Sequence, residues 1–284
     1  MKIFDLTAPF VTPRNVVLPA YDSYGMPHGD LHSAFHKART PMNSTRSTFA
    51  NLKSDRRVEA ISTNEQRVLY ALMFHPYVID FREQYAFCDD DALVGARRKG
   101  NRMLRTNMTT LDVVATYVTP GHPIPRYHAI SVKGPFHVPT EKDIRRERRE
   151  RFYLEKLGWT SETLRGDEIT DAHYFSCRNL YRMVRNTNVW SLYDDAGAFS
   201  KMLLNGSRKG AAATVVGRAA RRFGVTPDDG YRLFAAAVAF GFLQLERTAL
   251  FDFDRPIILQ GDDGWKKRPA SACAMRILQG QAWR

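Results

Sequence analysis

The chain has 284 residues, of which 44% are hydrophobic and 25% charged, a balance that excludes a disordered or fibrous protein and leaves room for two folded units. Forty-two Lys and Arg against 30 Asp and Glu give a formal net charge of +12, so polyanions, nucleic acid first among them, are the expected partners. Cys88, Cys177 and Cys273 lie too far apart for a zinc site or a disulfide framework, and the longest apolar run, residues 235–240, is too short to span a bilayer. Asp5 and Pro9 interrupt the start before a signal-peptide core can form, and a reducing cytoplasm is the expected location.

In chain order, residues 1–57 carry Pro9, Pro13, Pro19, Pro27 and Pro41 among basic residues such as Arg39, Arg46, Lys53, Arg56 and Arg57. They read as a basic irregular arm wrapped on the domain or on a partner. His32 and His36, four apart, would share a helix face, and with no acid in the motif they read as a packing or surface pair. Ser62 followed by Glu65 is a capping box, and Val68, Leu69 and Leu72 recur at helical spacing, predicting a helix over 62–74 that Pro76 stops. Residues 78–87 and 109–118 read as strands, with a basic loop over 96–105 between them that carries Arg97, Arg98, Lys99, Arg102 and Arg105. A third strand over 127–133 is followed by a charged helix over 141–159 that ends at Gly158. Its basic residues alternate with acids, which predicts a solvated face laced with ion pairs.

Residues 58–170 are therefore α/β. From 171 to 260 the pattern turns helical, with Thr226 as an N-cap and Pro227 at the first helical position of the last helix. Residues 242–254 alternate as a hairpin would, so the region reads as winged-helix-like. Its second helix, 231–240, is mostly alanine and aromatic, which suits a buried or protein-binding helix at least as well as a groove reader. Residues 261–284, with a Lys-Lys-Arg run at 266–268, read as a tail.

Three polar residues stand out. Asp112 interrupts an apolar strand and faces away from Leu111 and Val113 if the strand alternates regularly; Lys133 likewise faces away from Val132. The 21 residues between Asp112 and Lys133 suit neighbouring strands joined by a turn. Singly, Glu65 reads as a helix cap, Asp112 as a strand-end hydrogen bonder and Lys133 as a snorkelling edge residue. Together they are what metal-assisted phosphodiester hydrolysis requires: carboxylates to hold Mg²⁺, and an ammonium to stabilise the attacking water and the transition state.

The run over 62–85, followed by the segments around Asp112 and Lys133, resembles the N-terminal nuclease domain of the TnsA family, the end-cleaving subunit of heteromeric Tns-type transposases. The residues that carry the resemblance are Ser62 and Glu65, then Val78, Asp80, Arg82, Glu83 and Gln84, then Asp112, then Val132 and Lys133. It implies a restriction-endonuclease-like α/β fold with a PD-D/E-x-K active site, followed by a winged-helix-like domain that engages an AAA+ ATPase, TnsC. Glu65, Asp112 and Lys133 would be catalytic; Glu65, Asp112 and the Val132 carbonyl would hold Mg²⁺, with Mn²⁺ as a substitute; Ser131 and Gln84 would support them. Where the fold commonly places Glu, Asp or Gln two residues before the lysine, this chain has Ser131.

The resulting expectation is an endonuclease of the bacterial nucleoid that hydrolyses the 5′ strands at transposon ends, while a DDE transposase subunit, TnsB, cuts and joins the 3′ strands. The arm and residues 96–105 would grip phosphates. The alternatives are a non-catalytic DNA-binding adaptor of a transposition complex and a stand-alone restriction or repair nuclease.

Overall fold

The first helix is set by its cap. In the computed structural model, which describes residues 2–37, 45–88, 90–102 and 108–262, helix α1 (Thr63–Met73) begins where the Ser62 hydroxyl accepts from the Glu65 backbone N–H, and it buries Val68, Leu69 and Leu72 as its spacing predicts. Four strands form one mixed sheet in the order β3 (Val78–Cys88), β4 (Met108–Thr119), β5 (His122–Lys133) and β6 (Thr160–Arg165). The first three run antiparallel, while β6 lies parallel to β5. The crossover between β5 and β6 is helix α3 (Glu141–Lys156), opened by a capping box between Thr140 and Asp143. The chain is thus α/β with a mixed sheet. Strand β6 was not expected from the sequence: its six residues bury only Leu164 and offer no apolar alternation.

Four more helices follow: α4 (Asp171–Val184), α5 (Tyr193–Leu204), α6 (Ala212–Phe223) and α7 (Pro227–Ala239). Helix α4 packs on α1 through a cluster of rings, with Tyr70 5.1 Å from Tyr181 and 6.0 Å from Tyr174. A single apolar core runs from Val113 and Ile130 of the sheet through α1 to Phe199, Phe234 and Phe240. Helix α7 starts at the expected Thr226 cap with Pro227 in its first turn, and its residues from Leu233 to Ala239 are all buried. It is a core helix whose exposed residues, such as Asp228 and Arg232, lie in its N-terminal half. The expected hairpin over 242–254 does not form. Leu245 makes one antiparallel bridge with Leu259, and the Phe253 and Arg255 carbonyls accept from the Ala213 and Ala212 N–H groups at the start of α6. The backbone groups that a wing would pair internally are used to hold the helix end instead.

The N-terminal segment touches the body through a set of buried residues and is regular in part: it contains β1 (Ser47–Ala50), paired antiparallel with β2 (Arg57–Ala60). Asp22 and Arg82 form an ion pair with both side chains fully buried. The second Asp22 oxygen accepts from the Tyr24 and Met26 N–H groups at 2.9 Å, and Tyr85 donates its hydroxyl to the first at 2.7 Å. The Arg82 guanidinium lies over the Tyr85 and Tyr127 rings. Lys53 and Arg56, expected as phosphate contacts, are buried: Lys53 donates to the His75 and Val78 carbonyls, and Arg56 pairs with Glu83. Burial pushes the Lys53 ammonium down to about 7. His32 lies outside any α-helix and is a core residue, with Nε2 2.9 Å from the Glu83 carbonyl oxygen. Further along, Thr12 donates its N–H to the Phe240 carbonyl at 2.9 Å. Beside it Gly241 has φ +81°, and a Cβ there would overlap the Phe10 carbonyl.

Removing one member of a buried ion pair leaves the other charge uncompensated. Asp22→Ala is therefore expected to lower the unfolding free energy by about 3–5 kcal/mol, measured by denaturant unfolding. Arg145→Ala, which breaks an exposed pair with Glu141 inside α3, should shift the midpoint little.

Candidate active site

The site forms where the sheet divides. Pairing between β4 and β5 stops at Val113 and Ile130, although β4 begins five residues before Val113 and β5 continues to Lys133. Beyond that point β4 stays with β3 down to the Cys88–Met108 pair, while β5 stays with β6 up to Lys133 and Arg165. The sheet forks. At the root of the fork the Asp112 carboxylate accepts the Val132 N–H at 2.7 Å. A side chain thereby replaces the backbone acceptor that the ladder would have supplied.

The row across the fork is Gln84 on β3, Asp112 on β4 and Ser131 on β5, as the registers on either side dictate. Gln84 has φ +46°, the only positive value among described residues other than glycine. Strand alternation reverses along this row. Phe81 and Tyr85, an even number of residues apart, belong to opposite apolar clusters, and so do Val113 and Leu111. The regular alternation expected around Asp112 is thus broken at Asp112 itself. Turning the backbone at Gln84 aims its carbonyl at the Phe35 N–H, 3.0 Å away.

Glu65 reaches the same place from α1. Its carboxylate accepts from the Gln84 side-chain amide (3.1 Å), the Ser62 hydroxyl (3.1 Å) and the Ile61 N–H (3.2 Å). The cap reading of Glu65 therefore holds geometrically, and three of its roughly four acceptor positions are engaged. Burial, with the Asp112 charge adding to it, pushes the Glu65 carboxyl up to about 7, against opposing hydrogen bonds from Ile61, Ser62 and Gln84. Asp112 is also raised by burial; the Val132 N–H, Lys133, Arg146 and the Ser131 hydroxyl hold it back.

Lys133 follows on β5 with its side chain 15% exposed and its ammonium 3.6 Å from Glu147 of α3. Arg146 lies between Asp143 and Glu150 on the same helix, and burial raises the Glu150 carboxyl, with Asp112 and Glu147 adding to the effect. These three α3 residues were read as a solvated face. They turn inward instead, and the signal available was their spacing: 146, 147 and 150 share one helix face with the buried Leu154.

The expected DNA-contacting residues lie apart from this row. Arg97 and Arg98 end helix α2 (Asp90–Arg98), so part of the expected loop is helical, and Lys99 and Arg102 follow it, all four exposed. Arg105 lies outside the described residues, as do Arg39, Pro41, Cys273 and the basic run at 266–268.

Among the described residues no three His, Cys, Asp or Glu side chains gather as metal ligands. A cation between Glu65 and Asp112 would need its shell completed by a backbone carbonyl, water or phosphate oxygens. Mg²⁺ is commonly held in this manner, by one or two carboxylates and substrate. The donor set fits it, since Glu65 and Asp112 bring hard carboxylate oxygens to Gln84 and Val132, which flank the fork. No protein-family model matches the chain, and no curated protein is similar to it.

The sign of the pH dependence follows from Glu65. An acid with an ordinary value of 4.5 raised to about 7 in the fold binds its proton more tightly when folded, so its contribution to stability is fully present below about 4.5 and is lost as pH rises through 7. The loss should be on the order of 2–3 kcal/mol, and Glu65→Gln should flatten that slope in denaturant unfolding between pH 4.5 and 7.5.

Proposed function

We propose that the chain is a Mg²⁺-dependent DNA endonuclease of the TnsA type, with a restriction-endonuclease-like nuclease fold over 58–170 and a winged-helix-like region over 171–260. The observation that carries the reading is the fork, which collects two buried carboxylates and a lysine ammonium from one helix and two adjacent strands. A divalent cation held by Glu65, Asp112 and the Val132 carbonyl would offset charge growing on the scissile phosphate. Lys133 would donate to the attacking water or a non-bridging oxygen, and Gln84 and Ser131 would keep the two carboxylates oriented through their hydrogen bonds.

Placement of charge supports DNA as the substrate. Both basic helices leave from the tips of the fork, α2 immediately after β3 and α3 after β5. The exposed residues Arg97, Arg98, Lys99 and Arg102 lie on or after the first, and Lys142, Arg145, Arg148, Arg149 and Arg151 lie on the second. Within this reading the partners are transposon-end DNA, a DDE transposase subunit like TnsB, and an AAA+ ATPase like TnsC engaged by the C-terminal region, in the bacterial nucleoid.

One observation favours a second reading, a DNA-binding adaptor without catalysis: Ser131 brings no acid, and Glu65 is already engaged by three donors. Incubating end-containing DNA with the assembled transposition proteins separates the two. Lys133→Ala, Asp112→Ala and Glu65→Gln should each cut the 5′-strand cleavage rate by at least about 100-fold while leaving 3′ cleavage intact. Binding without a 5′ nick by the wild-type protein in Mg²⁺ would favour the adaptor.

A further inference from the structure

Ser131 leaves the fork one acid short on β5, and α3 faces the gap. Ser131 and Glu147 line a single cavity, with Ala129, Leu154 and Thr163 in its walls. Glu150 lines the same cavity and pairs with Arg146, with the Lys133 charge also reaching it, whereas the ion-pair partner of Glu147 is Lys133.

We propose that Glu147 is the positioning residue of Lys133, supplying from α3 the carboxylate that Ser131 omits from β5; the inference rests on the nuclease reading of the fork. Electrostatics gives the reason for the exchange. By register, residue 131 stands beside Asp112. A third acid there would add like charge to a crowded pair. A serine adds none, and the negative charge stands instead where it meets the ammonium, on Glu147. Lysine carries about 2 kcal/mol of rotamer entropy. A helix-borne carboxylate that selects among those rotamers orients the ammonium before substrate arrives.

The test uses the full chain with its cognate transposase on end-containing DNA in Mg²⁺. Glu147→Ala and Glu147→Gln should lower the 5′-cleavage rate by about 10-fold or more, through kcat rather than KM, with DNA affinity within about twofold. Glu155→Ala, exposed on the same helix, should cut like wild type. Placing Ser131→Glu in the Glu147→Ala protein, or Ser131→Asp should the first not fold, should restore the rate to within about threefold. Without metal or DNA, an amine-reactive probe should label Lys133 about threefold faster in Glu147→Gln. Wild-type cleavage by Glu147→Ala while Lys133→Ala is inactive would overturn this inference and leave the nuclease reading standing. Failure of a folded double variant to recover would overturn the exchange between strand and helix. Wild-type cleavage by Lys133→Ala would remove the nuclease reading itself.

Discussion

Everything distinctive here depends on the point at which β4 and β5 stop pairing. A strand that leaves its ladder exposes an N–H and a carbonyl, and burying either unpaired is costly. The chain meets that cost with a charged side chain, since Asp112 accepts the Val132 N–H. The same act brings a carboxylate into the protein where it keeps its proton more tightly than in water. Gln84, forced to a positive φ on the neighbouring strand, gives up its regular place and sends its amide to Glu65. One break in a ladder therefore produces the strained residue, the two buried carboxylates and the gap that faces α3.

The N-terminal segment shows how a basic chain can hide part of its charge. Arg82, Arg56 and Lys53 are all buried, each against a carboxylate or backbone carbonyls. Such pairs gain little over apolar residues of the same volume, but they penalise any arrangement that leaves one charge alone. Their effect is on register: Asp22 can satisfy four donors at only one place along β3. Basic side chains that remain outside include a group on or beside the helices leaving the fork, where long-range attraction for a polyanion is useful.

Much of the sheet and helix order was legible because it follows period and cap. Strands β3, β4 and β5 and helices α1 and α3 lie close to their expected bounds, and the Ser62 and Thr226 caps are in place. The strands that carry Asp112 and Lys133 were legible as neighbours because a short turn joins them, although a bulge between Tyr117 and Thr119 sets their register and puts Ser131, not Lys133, beside Asp112. Strand β6 was not, since a polar edge strand such as Thr160–Arg165 carries no apolar alternation. The fold of the arm was hidden for a related reason. Asp22, His28, His32, Lys53 and Arg56 bury it through polar contacts, and composition assigns such residues to the surface.

The inward face of α3 was the hardest to read, and the reason bears on the site. In a helix with arginine or glutamate at nearly every position no hydrophobic stripe marks the side that packs, so orientation is decided by which ions find partners across the gap. Leu154 anchors one end, and the helix phase then carries 150, 147, 146 and 143 over the fork. A strand position can serve the site only in steps of two residues on a fixed face, whereas a helix above it can deliver a charge at spacings of three or four. An acid lost from β5 is thus more readily replaced from α3 than from β6, whose Thr163 is the register partner of Ser131. The fork tolerates a serine because the element covering it is free to supply charge from another direction.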